Sequence, residues 1–308
     1  MKTAVIFPGQ GSQFTGMADA WTSDAAGGRV LEEASDVLGY DIVEACRDEE
    51  RLADTAVVQP AIFACDLAAF SALEARGVTF FMAAGHSLGE FAALVAAGTL
   101  EFRPCLEVVA LRGSATRDAA AHRPGSMTAI VGCSPDEAAD ICRVAGRGDV
   151  LAVANVNSPV QTVVSGSMDA VSRAEELARS RGARAIRLNV AGAFHSPLMH
   201  PAVAPVRRGL AGLAFHEPRF PLVPNASGKP TNRGAALRDL LSRQLVSPVQ
   251  WERSLRAMSE AGIGCFVEAG PGDVLTRLVR RCVPDAMTFS VGSPSDADAF
   301  VASLREAT

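Results

Sequence analysis

The chain has 308 residues, of which 48% are hydrophobic and 20% charged, so it can bury a large core and is not a disordered, collagen-like or disulfide-scaffold sequence. Arginine and lysine total 29 against 34 aspartate and glutamate residues, and this net charge of −5 does not favour a protein that coats nucleic acid. Its seven cysteines form no CxxC pair, which indicates reduced thiols in a cytosolic protein.

Targeting and membrane segments are not expected. The apolar run Ala4–Phe7 is followed by Pro8 and is too short for the core of a secretion signal. The most apolar stretch, 80–100, contains His86 and Glu90, which a membrane helix would have to bury without partners. We therefore expect a soluble cytoplasmic protein that binds neither membranes nor nucleic acid.

Strand-like apolar runs alternate with helix-like segments along most of the chain, a pattern typical of an α/β protein. Thr3–Phe7 is predicted to be a strand that ends in a Pro-Gly turn. Pro60–Arg76 is predicted to be a helix, because proline is favourable in a first turn and the following glycine would end it. A strand at 80–84 and a helix at 88–97 are expected next. Further strands are predicted at 264–268 and 287–291, and a final helix is predicted at 296–306.

The middle of the chain has a different pattern. It reads strand, helix, strand, strand, helix, strand, which is the order of a ferredoxin-like unit. The six elements are predicted at 127–131, 135–144, 150–154, 161–165, 170–181 and 185–190. We therefore predict a large α/β domain formed by residues 1–124 and 192–308, with a small domain inserted at 125–191.

The strongest local motif is Gly85-His86-Ser87-Leu88-Gly89, a G-x-S-x-G sequence between a predicted strand and a predicted helix. In that setting a tight turn exposes the Ser87 hydroxyl, and the N–H groups of the helix N-terminus point toward it. The context favours a nucleophile, while an ordinary glycine-rich turn is the alternative.

A serine nucleophile needs a base, and the chain contains five histidines. His195 is preferred because it follows a predicted strand and precedes Ser196-Pro197, which resembles the start of a helix. His200 and His216 are alternatives, and a single histidine is more often structural than catalytic.

Two other positions could contact a substrate. Gln10 lies in a glycine-rich turn that fails the dinucleotide-binding fingerprint, because Phe14 stands where glycine or alanine is required. Gln10 could donate N–H groups to an oxyanion, although an ordinary surface turn is equally compatible. Arg112 lies in an apolar helical run and could either extend to solvent or bind a carboxylate. No cluster of metal-ligand residues occurs, so no metal is predicted.

Together these motifs resemble the malonyl-CoA:acyl carrier protein transacylases and the discrete, trans-acting or embedded acyltransferases of polyketide synthases. The resemblance covers nearly the whole chain, and it implies an α/β-hydrolase-like large domain with a ferredoxin-like insertion. The matching segments are Phe7–Gln13, Gln59–Ala61, Gly85–Glu90, Arg112–Gly113, Asn157–Pro159, Val164–Gly166, Ala193–Met199, Pro248–Trp251 and Glu268–Gly272.

The resemblance also implies roles in the chemistry. Ser87 would take the acyl group from coenzyme A as an ester, and His195 would be its base and later the base for the incoming thiol. Gln10 and the backbone N–H of Leu88 would form the oxyanion hole. No bound cofactor is implied, since the coenzyme A thioester is a substrate.

Other implied roles concern the acyl group. Arg112 would bind the malonyl carboxylate, and Gln250 would support the histidine through local hydrogen bonds. Phe194, in a run that matches the malonyl-type pattern, would line the acyl pocket with Thr116. The family usually carries methionine at the position of Thr116, a departure that could reshape this pocket.

The implied partners are malonyl-CoA and an acyl carrier protein, and the protein is expected to be a monomer. Carrier proteins are acidic, so their docking requires a basic patch. Arg277, Arg280 and Arg281 recur at helical spacing and are candidates, as are Arg207–Arg208. A solvated helix face would explain either set as well.

The expected reaction moves a malonyl or related carboxyacyl group from coenzyme A to a phosphopantetheine thiol through a seryl ester, in fatty acid or polyketide biosynthesis. A different extender unit or an acyl-carrier donor stays open. A serine esterase or thioesterase would require a later histidine, and none follows His216. A non-catalytic adaptor would tolerate loss of Ser87, His195 or Gln10, yet all three are present.

Overall fold

The computed structural model describes residues 1–306, so the last two residues of the predicted large domain lie outside it. The described strands are β1 Lys2–Phe7, β2 Met82–Gly85, β3 Ser126–Val131, β4 Leu151–Ser158, β5 Gln161–Gly166, β6 Arg184–Arg187, β7 Ile263–Ala269 and β8 Met287–Val291. They form two separate four-stranded sheets. The protein is therefore a mixed α/β structure with one parallel and one antiparallel sheet.

Thirteen α-helices connect these strands within the described residues. They are α1 Ala25–Leu38, α2 Ile42–Arg47, α3 Glu49–Ala53, α4 Thr55–Ala75, α5 Gly89–Ala96, α6 Phe102–His122, α7 Pro135–Gly146, α8 Met168–Ser180, α9 His200–Ala211, α10 Gly234–Leu241, α11 Trp251–Glu260, α12 Val274–Cys282 and α13 Pro294–Glu306. Short 3-10 helices lie at Asp19–Ser23, Pro197–Met199 and Gln244–Val246.

The parallel sheet has the strand order β2–β1–β7–β8. Its strand β1 is buried on both faces, because Val5 and Phe7 pack in one hydrophobic cluster while Ala4 and Ile6 pack in another. Burial on both faces is typical of parallel sheets covered by helices, and it explains the continuous apolar run in the sequence. All four strands end at the same edge, which is where ligands bind in such sheets.

The antiparallel sheet has the order β4–β5–β3–β6 and contains the elements of the predicted insertion in their predicted order. Helices α7 and α8 cover one face, around Ile130 and Val164. Met127, Ala129 and Val163 lie on the opposite face. That uncovered face is turned toward the parallel sheet and lines the central cavity.

Two predicted boundaries in this part were wrong. Strand β6 ends at Arg187 and not at residue 190, so 188–190 leave the sheet and line the cavity. Strand β4 continues to Ser158 instead of ending at residue 154, because it pairs with β5 as far as Ser158 opposite Gln161. On its other edge the N–H of Val156 donates to the carbonyl of Val249. Both differences place polar residues at the cavity.

The long helix α4 begins at Thr55, five residues before the predicted start at Pro60. The side chain of Asp54 accepts a hydrogen bond from the N–H of Ala56 and so provides the N-cap. Pro60 therefore lies inside the helix, where its ring nitrogen has no hydrogen to donate.

Helix α4 is also the one helix within residues 1–306 that is long and apolar enough to cross a membrane by length and composition. In its most apolar window 83% of the residues are buried inside the protein, so it is the central helix of the core.

All seven cysteines are free, and five of them are buried.

Candidate active site

The turn between β2 and α5 carries the G-x-S-x-G motif. Its Ser87 has a φ of +52°, in the left-handed region that L-residues rarely adopt. Cβ atoms on Gly85 and Gly89 would collide with the backbone of Gly89 and of Phe7, respectively. Only glycine lets the strand and helix approach this closely, and the result is a sharp turn that presents the Ser87 side chain.

The structure brings Ser87 and His195 together, although 108 residues separate them. The Ser87 Oγ and His195 Nε2 atoms lie 2.7 Å apart. On the other side of the ring, Nδ1 lies 3.0 Å from the carbonyl oxygen of Gln244 and 3.1 Å from that of Ser247. Carbonyls only accept hydrogen bonds, so Nδ1 carries the hydrogen and Nε2 accepts from the serine hydroxyl.

His195 is buried, with only 5% of its surface exposed. Burial, together with the positive charge of Arg112, lowers the pKa of His195 to about 3, and the two carbonyl bonds oppose this shift only in part. The imidazole is therefore neutral at physiological pH and free to accept the serine proton.

The expectation that Gln250 would support the histidine is corrected by this geometry, since Gln244 and Ser247 provide the two carbonyls. The chain turns away after these residues, because Val249 pairs with strand β4. The backbone N–H of Gln250 is then directed to the carbonyl of Asn225, at the start of α11.

Arg112 does not extend to solvent, since only 4% of its surface is exposed. Its Nη1 donates to Gln59 Oε1 at 2.6 Å, and its Nη2 donates to Ser87 Oγ at 3.0 Å. Its Nε is buried and has no hydrogen-bond partner among the described residues. Burial lowers the pKa of Arg112 to about 10, against the opposing effect of Glu90, so the guanidinium stays charged.

The two residues expected in the acyl pocket differ in position. Phe194 lines the cavity. Thr116 does not line it and lies behind Gln59, where its Oγ1 accepts from Gln59 Nε2 at 3.3 Å and donates to the Arg112 carbonyl at 2.8 Å. Thr116 reaches the cavity only through Gln59, because its short side chain bonds to its own helix.

Ser87 opens into a cavity of about 520 Å³ between the two sheets. Gln10, Leu88 and Arg112 also lie in the wall of this cavity. The antiparallel sheet contributes polar side chains that sequence reasoning did not assign, namely Asn155, Asn157 and the nearby Asn189. This size and mixture of surfaces fit a ligand with an acyl chain and several polar groups.

His86 and Asn157 connect the two parts of the cavity wall. Their Nε2 and Oδ1 atoms lie 3.0 Å apart, and the imidazole packs edge-on against Trp251. His86 therefore points away from the nucleophile. Asn157 belongs to a segment that carries the family resemblance. The sequence therefore singled out this residue, but it did not predict the contact with His86.

Three buried polar side chains lie under the serine turn: Glu90, Asn225 and Gln244, each at most 4% exposed. Glu90 Oε2 accepts from Gln244 Nε2 at 2.7 Å and from the N–H of Asn225 at 3.2 Å. Burial raises the pKa of Glu90 to about 7, although these bonds and the charge of Arg112 oppose the shift. Sequence reasoning missed Asn225 and Gln244, since neither lies in a recognisable catalytic motif.

The three arginines expected at a docking surface are exposed on α12, and each contacts a neighbour. Arg277 forms an ion pair with Asp273 at 2.6 Å. Arg280 donates to Thr288, and Arg281 Nη1 donates to Gln161 Oε1 of the antiparallel sheet at 2.6 Å. Arg281 therefore bridges α12 and a residue of the cavity wall.

No group of three or more histidine, cysteine, aspartate and glutamate side chains within residues 1–306 is arranged to hold a metal ion. The polar groups of the site are instead a serine, a neutral histidine and a buried arginine. This set can form and break an ester at Ser87 and can neutralise a carboxylate beside it.

Residues 4–301 match the model of the acyl transferase domain family, and the chain belongs to this family. It is 38% identical over 297 residues to the malonyl CoA-acyl carrier protein transacylase of Escherichia coli K12, covering 95% of this chain and 96% of that protein.

Solved structures show the same similarity. The crystal structure of an acyl-carrier-protein S-malonyltransferase from Burkholderia pseudomallei aligns with a TM-score of 0.93 and 36% identity, covering 98% of this chain and 100% of that one. A malonyl-transacylase in complex with its type II polyketide synthase acyl-carrier protein aligns with a TM-score of 0.94 and 35% identity, over 98% and 100% of the two chains.

Proposed function

We propose that this protein transfers a malonyl group from coenzyme A to the phosphopantetheine thiol of an acyl carrier protein, through an ester on Ser87. The observation that carries the proposal is the position of Ser87 Oγ, which is within hydrogen-bond distance of both His195 Nε2 and Arg112 Nη2 at the cavity. The names of the similar proteins agree with this activity.

In the first half-reaction, His195 Nε2 takes the proton of the Ser87 hydroxyl while Oγ attacks the thioester carbonyl. The carbonyl oxygen becomes an oxyanion, and the proposed donors are Gln10 and the N–H of Leu88. Both residues line the cavity beside Ser87, and Leu88 precedes the first turn of α5, where N–H groups have no intrahelical partner. The thiolate of coenzyme A leaves and recovers the proton from His195.

In the second half-reaction the carrier-protein thiol gives its proton to His195 and attacks the carbonyl of the seryl ester. The bond between the acyl carbon and Ser87 Oγ then breaks, and Oγ recovers the proton from His195. One thioester replaces another, so the overall free-energy change is close to zero. Kinetics should be ping-pong, and transfer must exceed hydrolysis because water is excluded or badly placed.

Arg112 is proposed to bind the substrate carboxylate. A buried cation without a carboxylate partner is costly, and the Nε of Arg112 has no hydrogen-bond partner among the described residues. The planar guanidinium can form two parallel hydrogen bonds with a carboxylate, which an ammonium group cannot do with equal rigidity. This arrangement favours malonyl over acetyl groups.

We also propose the finer architecture: an α/β-hydrolase-like domain of residues 1–124 and 192–308, with a ferredoxin-like insertion at 125–191. The antiparallel strand order β4–β5–β3–β6 supports it. A Cβ on Gly125 would lie 2.7 Å from the Cβ of Ala193, so the two crossings between the units run side by side. The carrier protein is proposed to dock beside α12, and the reaction to take place in the cytoplasm.

An esterase or thioesterase is the weaker candidate. Such enzymes generally place a carboxylate on Nδ1 of the catalytic histidine. Here two backbone carbonyls occupy that position. A neutral ester would also offer no carboxylate for the buried Arg112 to bind.

The test is intact mass spectrometry after incubation with malonyl-CoA. The parent protein should gain one malonyl group, and Ser87→Ala should gain none. Ser12→Ala is the matched control, since Ser12 lines the same cavity but bonds to the carbonyl of Gly9. An adduct that persists in Ser87→Ala would place the nucleophile elsewhere. Competition among several acyl-CoAs in the same assay would identify the preferred acyl group.

A further inference from the structure

We propose that Asn225 is a positioning residue that fixes the turn carrying Ser87 and thereby sets the rate of acylation. The inference rests on the proposed role of Ser87 as the nucleophile. Asn225 has no place in the chemistry described above, and it is 99% buried.

The side-chain amide of Asn225 bonds to both sides of the turn. Its Oδ1 accepts from the backbone N–H of Ser87 at 2.7 Å, and its Nδ2 donates to the carbonyl of Gly85 at 2.6 Å. One planar group therefore holds two backbone groups of the turn, on either side of His86. The task requires an acceptor and a donor side by side, which among side chains of this length only asparagine supplies.

The turn needs such support because its conformation is unfavourable. Ser87 has a positive φ, and residues held in this region persist only when the surrounding structure fixes them. A different conformation of the turn would move Oγ relative to His195 Nε2. Small displacements of reacting groups reduce rates strongly, so the support acts on the chemistry and not only on folding.

The fold delivers Asn225 to this place through a short extension of the parallel sheet. The segment 221–223 runs beside β2, with Leu222 opposite Ala83. The hydrogen bonds are Ala83 N–H to Pro221 O and Val223 N–H to Ala83 O. Asn225 lies three residues after Leu222, and His86 lies three residues after Ala83. The parallel pairing therefore places Asn225 level with the serine turn.

The backbone of Asn225 is held as firmly as its side chain. Its N–H donates to Glu90 Oε2 at 3.2 Å, and its carbonyl accepts from the N–H of Gln250 at 2.9 Å. A residue fixed on both sides can hold a strained neighbour, because it has little freedom to follow that neighbour's movement.

Gln244 also bonds to the turn, through the carbonyl of Ser87 at 2.8 Å. Its side-chain oxygen additionally accepts from Arg112, and its backbone carbonyl contacts His195 Nδ1, so its substitution would disturb the carboxylate site as well as the turn. The hydrogen bonds described for Asn225 reach neither of these residues. A variant of Asn225 therefore tests the turn alone.

The experiment measures the rate constant of Ser87 acylation at saturating acyl-CoA by rapid quench and intact mass. Asn225→Ala removes both side-chain bonds and should slow acylation about tenfold or more, equally for malonyl-CoA and acetyl-CoA. The dissociation constant of malonyl-CoA, measured with and without the change in a Ser87→Ala background, should stay within about twofold. Ser254→Ala is the control, since it removes a buried side-chain bond to the Gln250 carbonyl on the next helix.

Asn225→Asp provides a second readout. An ionised aspartate keeps the acceptor for Ser87 N–H but places a repelling oxygen against the Gly85 carbonyl. Protonation restores a donor at that position, so acylation by this variant should recover as the pH falls. The parent protein should show no such recovery.

The outcomes are distinct. Acylation at the parent rate in Asn225→Ala, or weaker malonyl-CoA binding at an unchanged rate, would overturn the positioning role while leaving Ser87 as the nucleophile. A rate loss matched by Ser254→Ala would also overturn it. Absence of any adduct on Ser87 in the parent protein would reject the proposed function, and the positioning role with it.

Discussion

Arg112 Nη2 lies 3.0 Å from Ser87 Oγ, so the cation proposed to bind the substrate carboxylate also contacts the proposed nucleophile. The same hydroxyl donates to His195. A hydroxyl that donates to a base and accepts from a cation is favoured to lose its proton, because the cation stabilises the negative charge that develops on oxygen. One arginine can thus act on both the acyl group and the serine.

Replacement of Arg112 by alanine should reduce malonyl loading about 10–100-fold more than acetyl loading, because the carboxylate loses a charge-assisted hydrogen bond. The measurement is the acylation rate for each acyl-CoA, by intact mass. Arg112→Lys is the control and should recover part of the malonyl preference. Equal losses for the two substrates would reject the carboxylate role.

His195→Ala should lower the acylation rate about 100-fold or more, since it removes the general base. In the parent protein the pKa of His195 is lowered to about 3 by burial and by Arg112, so the imidazole is neutral throughout pH 5–8. The contribution of His195 to the pH–rate profile should be flat over this range. Repeating the profile with Glu90→Gln removes the buried carboxyl under the serine turn, whose pKa of about 7 falls within this range. A change in the acylation rate of Glu90→Gln with a midpoint near pH 6.5 would contradict the prediction.

Glu90 should make stability depend on pH. Burial raises its pKa from 4.5 to about 7, so between these values the folded protein keeps a proton that the unfolded chain releases. That stabilisation is complete below pH 4.5 and is lost as the pH rises through 7. The free energy of unfolding of Glu90→Gln, relative to the parent, should therefore increase by up to about 3 kcal/mol between pH 5 and pH 8.

Urea denaturation at the two pH values measures this difference. Glu176→Gln, at an exposed position of α8, is the control and should show no comparable dependence. A difference between Glu90→Gln and the parent that does not vary with pH would show that the carboxyl does not titrate as described.

Thr116→Val should weaken malonyl loading although the residue does not line the cavity. The change leaves Gln59 Nε2 buried without its partner and should cost about 1–2 kcal/mol of stability. Gln59 then holds Arg112 Nη1 less well, so malonyl loading should fall more than acetyl loading. Thr116→Ser keeps the hydroxyl and should retain the malonyl preference. A loss shared equally by both variants would indicate a packing effect.

The double change Arg280→Glu and Arg281→Glu should raise the KM for the carrier protein without changing the KM for acyl-CoA, because an acidic partner would meet negative charge beside the cavity. Initial rates with each substrate varied in turn measure both constants. Arg207→Glu with Arg208→Glu tests the alternative patch on α9. A larger effect from the second pair would move the docking surface there.

The sequence was most informative where local geometry and chemistry coincide. The glycines of the serine turn are required by close backbone approach, so the motif and its strand–helix setting predicted a tight turn that presents the Ser87 hydroxyl. The position of His195 had weaker local support, and the preference for it over His200 and His216 depended on a resemblance to a helix start.

The rest of the site depends on contacts between distant segments, which no local pattern encodes. Gln244 meets His195 because a 3-10 turn places its carbonyl there, whereas the expected Gln250 faces Asn225. Asn225 itself depends on the register of segment 221–223 beside β2. The early start of α4 was missed because the Asp54 cap outweighs the proline signal.

The two carbonyls on His195 Nδ1 bear on the direction of the reaction. A carboxylate at this position would stabilise the protonated imidazole and slow its loss of the proton. The two carbonyl dipoles stabilise the protonated form only weakly. In the proposed mechanism the ring is then a transient proton carrier that gives its hydrogen to whichever sulfur is departing. Donor and acceptor thiols are treated alike, and such a catalyst runs forward or backward according to the supply of each.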